Sequence, residues 1–170
     1  MSDTFHIPRL EVGDVVLRAP QASDLDAHTA FRASDRARSV GGPWNDRASA
    51  WLHLCSASGQ WVLRGYGRWM VADRETDAPL GLVGLHFPEG WPEPEIAWSV
   101  YAEAEGRGIA FAAAQAARTY AYDTLGWTTA ISAVAIQFVT RWRVRAAMAR
   151  RSGTTSQPIR SPLPTSPSGN

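Results

Sequence analysis

Two glycines one residue apart, Gly106 and Gly108, sit where a β-branched, aromatic run gives way to an alanine-rich segment. A strand that ends in Gly-X-Gly and opens a helix presents main-chain N–H groups that have no partner inside the helix, at the positive end of its dipole. Such a junction is an anion site. Without a Cβ at 106 and 108 a diphosphate could approach the amides closely, and Arg107 would add positive charge beside it. Glycines at a strand-to-helix junction also serve as plain turn residues, so the motif alone leaves both readings open. Two phosphate-binding signatures are disfavoured. No Lys-Ser or Lys-Thr follows Gly108, as a Walker loop requires, and Phe111 stands where the dinucleotide fingerprint has its third glycine.

Other reactive side chains offer less. Cys55 is the one cysteine and cannot form an internal bridge; it lies in an apolar, aromatic-rich stretch and reads as a buried structural thiol on a helix ending near Gly59. His28 reads as a partly buried helix residue. With no second histidine at metal-ligand spacing, no metal site is expected.

The elements that must position the glycine turn follow from periodicity and punctuation. Residues 10–18 alternate apolar and polar around Gly13-Asp14 and predict a strand or short hairpin. Residues 23–34, with cap-like Ser23 and Asp24, predict a first helix, and residues 46–55 a second. Strands are predicted at 60–63, 68–73 and 80–87, forming an antiparallel meander, then at 95–100 leading directly into the glycine turn. Residues 109–125, rich in alanine and closed by Gly126, predict the longest helix, and 128–134 a further strand. The order gives an α/β fold with a mixed central sheet, whose parallel pair flanks the long helix.

Charge divides the chain near Ala135. Residues 1–135 hold eleven Arg against sixteen acids, a balance of −5, whereas 136–170 hold six Arg and no acid. The expected organisation is one domain over 1–135 and an Arg-rich, then Pro/Ser-rich tail over 136–170, disordered from 151. No run approaches the length of a membrane span and no signal-peptide pattern opens the chain, so a soluble, cytoplasmic protein is expected.

A family resemblance joins these readings. Gly41-Gly42-Pro43, Trp69-Met70-Val71, Gly81-Leu82-Val83-Gly84-Leu85, Gly90-Trp91-Pro92-Glu93-Pro94-Glu95, Gly106-Arg107-Gly108-Ile109-Ala110 and Asp123-Thr124-Leu125-Gly126-Trp127 stand in order and spacing similar to the GNAT superfamily of N-acetyltransferases. The branch they resemble includes the ribosomal-protein N-terminal acetyltransferases. That resemblance implies acetyl-CoA as cosubstrate, a primary amine as acceptor, and no metal. It implies a diphosphate site at Glu105, Gly106, Arg107, Gly108, Ile109 and Ala110, where Glu105 departs from the family's Gln or Arg. Backbone of Trp98, Ser99 and Val100 would pair with the pantetheine arm. Attack of a neutral amine on the thioester needs a base, for which the resemblance points first to Glu95, then to Glu93, with His86 behind them. Trp44, Trp69, Trp91 and Trp98 could line an acceptor pocket or simply pack; Trp91 is expected to fold over the acceptor opening.

Past residue 135 the resemblance stops. The family's Pro-X-Asn-X-X-Ser and its closing pair of strands are missing, and the segment from Ile136 resembles the product of a shifted reading frame. Another frame downstream of codon 135 is then expected to spell the missing motif. Two other readings follow from the same tail: an acyl-CoA binder that no longer turns over, and an Arg-rich arm for nucleic acid or an acidic partner. The acidic balance of residues 1–135 disfavours the second, because it opposes a contiguous basic surface.

Overall fold

Gly13 takes a φ of 57°, a left-handed turn that glycine makes without strain, and it folds the first apolar run into a hairpin of β1 (Leu10–Val12) and β2 (Val15–Arg18). The structure is a computed structural model that describes residues 6–132, all inside a compact unit running from Met1 to Phe138. The tail expected to be disordered and to lack the closing strands lies outside the described residues.

Helices follow the hairpin. A single 3₁₀ turn, Ala22–Asp24, leads into α1 (Leu25–Ala33), and Arg18 of β2 grips buried Asp24 with both terminal nitrogens at 2.9 and 2.8 Å. The second helix, α2, runs Arg47–Arg64, farther than its sequence suggests. Asp46 caps its start by accepting the Ser49 N–H at 2.7 Å, and Gly65, at φ 75°, closes its end on the Trp61 carbonyl.

This length corrects two expectations. Residues 60–63 are not a strand: Ala50, Leu54, Ala57 and Trp61 form one buried stripe at helical spacing, and that tertiary stripe overrides the β-favouring types Trp61, Val62 and Leu63. Gly59 is therefore helix interior. Cys55 is exposed, since its place on α2 falls off the buried stripe.

The sheet is completed by β3 (Arg68–Asp73), β4 (Pro79–His86) and β5 (Glu95–Val100), in spatial order β1-β2-β3-β4-β5 and antiparallel throughout. One face carries Trp69, Val71, Val83, Leu85 and Ile96 against α3 (Ile109–Thr119), which presents Ala113 and Ala117. The other carries Met70 and Leu82 against Leu54 and Ala57 of α2. A wide π turn, Tyr120–Thr124, extends α3 almost to Gly126, as the composition of that helix implies. The strand expected at 128–134 is represented by one parallel bridge, Glu95 with Ile131; residues 133 and 134 lie outside the described span.

Candidate functional site

After β5 the chain is pinned at Tyr101, whose N–H donates to the Leu80 carbonyl at 2.8 Å, and then makes a 3₁₀ turn over Ala102–Ala104. Gly106 and Gly108 follow at φ 73° and 72°, the left-handed region where a side chain would strain the backbone. A Cβ placed on either would meet nothing within 4 Å. The glycines are thus required by the turn, and they also leave the approach to its amides clear. The first intrahelical bond of α3 runs from the Ala112 N–H to the Gly108 carbonyl at 3.1 Å. The amides of Ile109, Ala110 and Phe111 precede it and have no partner in the helix. A hollow of about 230 Å³ opens beside this first turn, walled by Gly13 and Asp14 of the hairpin and by Arg107 and Gly108.

Glu105, the position that departs from the resemblance, is answered by a residue sequence reading did not single out. Arg36 holds it side-on, Nε to Oε1 at 2.8 Å and Nη2 to Oε2 at 3.2 Å. The pair is exposed, so it adds little stability, but it offsets the negative charge that directly precedes Gly106.

The edge of β5 is engaged along only part of its length. Ile96 donates to the Ile131 carbonyl at 2.9 Å and Ile131 donates to the Pro94 carbonyl at 3.1 Å. Among the described residues no ladder continues beyond that on this edge, while the opposite edge pairs with β4 from Glu95 to Val100. Trp98, Ser99 and Val100, the residues expected to meet a pantetheine arm, are half-buried on the open stretch.

At the far end of β5 stands Glu95, 5% exposed and opposite His86 in the sheet. Its Oε2 accepts the Trp91 indole N–H at 2.9 Å, and Trp91 lies edge-on to His86 with ring centroids 6.0 Å apart. His86 is pushed down to about 4 by burial and then by the Arg68 charge, so it is neutral near pH 7. Glu93 is exposed in the preceding loop. Of the two acids, the structure brings Glu95 alone together with Trp91 and His86.

A larger buried polar chain lies on the same sheet face. His28 of α1 and His53 of α2 meet at 3.0 Å, Tyr101 Oη lies 3.0 Å from His28 Nδ1, and Arg68 Nη2 lies 3.3 Å from His53 Nε2. Arg68 can only donate, which fixes the rest: His53 accepts at Nε2 and donates from Nδ1, and His28 accepts at Nε2 and donates from Nδ1 to the tyrosine oxygen. Both histidines must be neutral for this to hold. Burial, followed by the charges of Arg32 and Arg68, lowers His28 to about 4 and His53 to about 2. Their surroundings are cationic, and among the described residues no group of three or more potential ligands could hold a metal ion. The two histidines lie 25 residues apart on different helices, a juxtaposition that motif spacing cannot reveal. Arg68 did carry a signal, since it shares parity with the buried Met70 and Ala72 of its strand.

A Gly-X-Gly turn at a helix start, an open strand edge and a buried carboxylate at the other end of that strand thus lie along one stretch of chain. The family model for the acetyltransferase (GNAT) domain matches residues 14–138, and the chain belongs to that family. Among solved structures it is similar to an acetyltransferase from Agrobacterium tumefaciens, at 35% identity over 81% of this chain and 80% of that one, with a TM-score of 0.73. A Bordetella pertussis protein described as a GNAT-family acetyltransferase is 25% identical over 71% of this chain and 75% of that one, TM-score 0.61. A ribosomal L7/L12 α-N-protein acetyltransferase in complex with coenzyme A shares the fold at 19% identity over 69% of this chain and 70% of that one, TM-score 0.56. No curated protein matches. No helix among the described residues is long and apolar enough to cross a membrane.

Proposed function

We propose that this chain is a cytoplasmic enzyme that transfers the acetyl group of acetyl-CoA to a primary amine. The observation that carries the reading is the joint geometry of β5: the glycine turn at its C-terminal end, Glu95 at its N-terminal end, and an open edge between them. Five steps of extended chain at about 3.3 Å each separate the two ends by about 17 Å. A donor anchored by its diphosphate at one end must therefore be extended to present a thioester at the other.

In this reading the amides around Gly108 hold the diphosphate, with Arg107 beside them, and main-chain groups of Trp98, Ser99 and Val100 pair with the pantetheine arm. Glu95 takes the proton from the acceptor ammonium, directly or through a water; the neutral amine attacks the carbonyl carbon, the C–S bond breaks, and the second amine proton passes to the departing thiolate, leaving the amide and free coenzyme A. Trp91 holds the Glu95 carboxylate in place and closes the acceptor side. The word-by-word resemblance to ribosomal-protein N-terminal acetyltransferases supports trying a peptide N-terminus among the acceptors.

Thermal unfolding with coenzyme A and acetyl-CoA, followed by thiol release with a panel of amines, tests the proposal. A raised melting temperature and amine-dependent thiol release are expected. Binding without release points instead to an acyl-CoA-binding protein, and no shift with either ligand refutes the reading.

A further inference from the structure

Arg32 of α1 is 1% exposed, and its Nε and Nη2 are buried with no hydrogen-bond partner. Its remaining nitrogen, Nη1, donates to the Val40 carbonyl at 3.0 Å, and the guanidinium lies 3.4 Å from the centre of the Trp44 ring. The two unpaired nitrogens are not scattered: Nε and Nη2 form the side-on edge of the guanidinium, whose parallel N–H bonds match the two oxygens of a carboxylate. The same molecule shows that edge in use, where Arg36 holds Glu105 through Nε and Nη2.

A buried guanidinium with two unmet donors is costly, so the fold keeps it only if something answers it. Among the described residues no acid is in place to do so. The one charge that acts on Arg32 is that of Tyr101, while Arg68 is acted on by Arg32, Glu95 and Tyr101. Outside the described residues the sequence carries a single acidic side chain, Asp3. Two buried arginines thus share the sheet face that also carries Glu95 and His86, and half-buried Trp44 covers one side of Arg32.

The geometry points to a carboxylate on the acceptor, held by the Nε and Nη2 edge of Arg32 with Arg68 nearby, so that the preferred substrates are amines that bear an acid. This rests on the acetyl-transfer reading above. The carboxylate anchors one end of the acceptor, and its amine reaches toward Glu95.

Matched amines test it: phenylalanine against phenylalaninamide, β-alanine against β-alaninamide, and the dipeptide Ala-Glu against Ala-Gln. Each is measured by thiol release and by thermal shift of the coenzyme A-saturated protein. At least one acid should exceed its amide by about tenfold or more in kcat/KM, or shift the melting temperature where its amide does not. Arg32→Met should erase that preference while leaving coenzyme A binding and the melting temperature intact, because a thioether fills the space without an unmet charge. Equal behaviour of every acid and its amide overturns the inference, as does a preference that survives in Arg32→Met. If coenzyme A binds and amines turn over without acid preference, the carboxylate fails and acetyl transfer stands; if coenzyme A does not bind, acetyl transfer itself fails.

Discussion

Lowering the pH from 7 to 5 should remove about 4 kcal/mol of folding stability through His28 and His53. In the folded protein burial and two nearby arginines hold them at about 4 and about 2, whereas an unfolded histidine titrates near 6.5. Folded values below the unfolded one mean that the stabilisation is complete above about pH 6.5 and is lost as the pH falls toward the folded values. At pH 5 the unfolded chain has taken up both protons and the native chain neither. Each histidine then contributes 1.36 kcal/mol for each of about 1.5 pH units, or about 2 kcal/mol. His86, lowered to about 4 by burial and the Arg68 charge, acts in the same direction and adds about as much again as either member of the pair. The window stops at pH 5 to keep most carboxylate titration out of the measurement. Urea unfolding at pH 7, 6 and 5 measures the loss. His53→Gln, whose amide can still donate to His28 Nε2, should remove about 2 kcal/mol of that pH dependence. A stability that stays level across this range would refute the buried neutral pair and, with it, the tautomer order read from Arg68.

Three further outcomes follow from other parts of the fold. Gly108→Val places a branched side chain at φ 72°, costing about 1–3 kcal/mol of backbone strain and blocking the amides; calorimetry should show coenzyme A affinity falling at least as steeply as stability. Glu95→Gln should lower kcat by about 10²–10⁴, leaving coenzyme A affinity unchanged. Asp24→Ala removes two hydrogen bonds from the buried Arg18 and leaves it to Asp77, and chemical denaturation should show a loss of about 1–3 kcal/mol.

What could be read in advance divides along physical lines. The hairpin at Gly13, the strands from Arg68 to Val100 and the long helix after Gly108 announce themselves because each is local: a period, a cap, a glycine that must take positive φ. The helix over residues 60–64 does not, because Trp61-Val62-Leu63 favours a strand until Ala50, Leu54 and Ala57 are seen to need the same wall. The site divides in the same way. The glycine turn is written in consecutive residues, while the His28–His53–Arg68–Tyr101 chain joins four elements and exists only once α1, α2 and the sheet are packed. Glu105 shows the converse: its charge looks adverse in sequence and is offset in space by Arg36.

The two halves of the site lie on opposite faces of the sheet, and this constrains any ligand that uses both. The Gly108 turn opens α3, which packs on the face carrying Ile96. Strand alternation sends Glu95 to the opposite face, where it stands beside His86 and within the field of Arg68. A paired sheet is a closed wall, so a molecule that touches both the turn and Glu95 must cross it at an edge. β5 is the last strand of the ladder among the described residues, and the segment at Ile131 meets it only near Glu95 and Ile96. On the proposed acetyl-transfer reading, the open stretch from Ala97 to Val100 is where the donor crosses. Extending the Ile131 pairing along β5 would close it, so how far that pairing runs decides whether donor and base can meet.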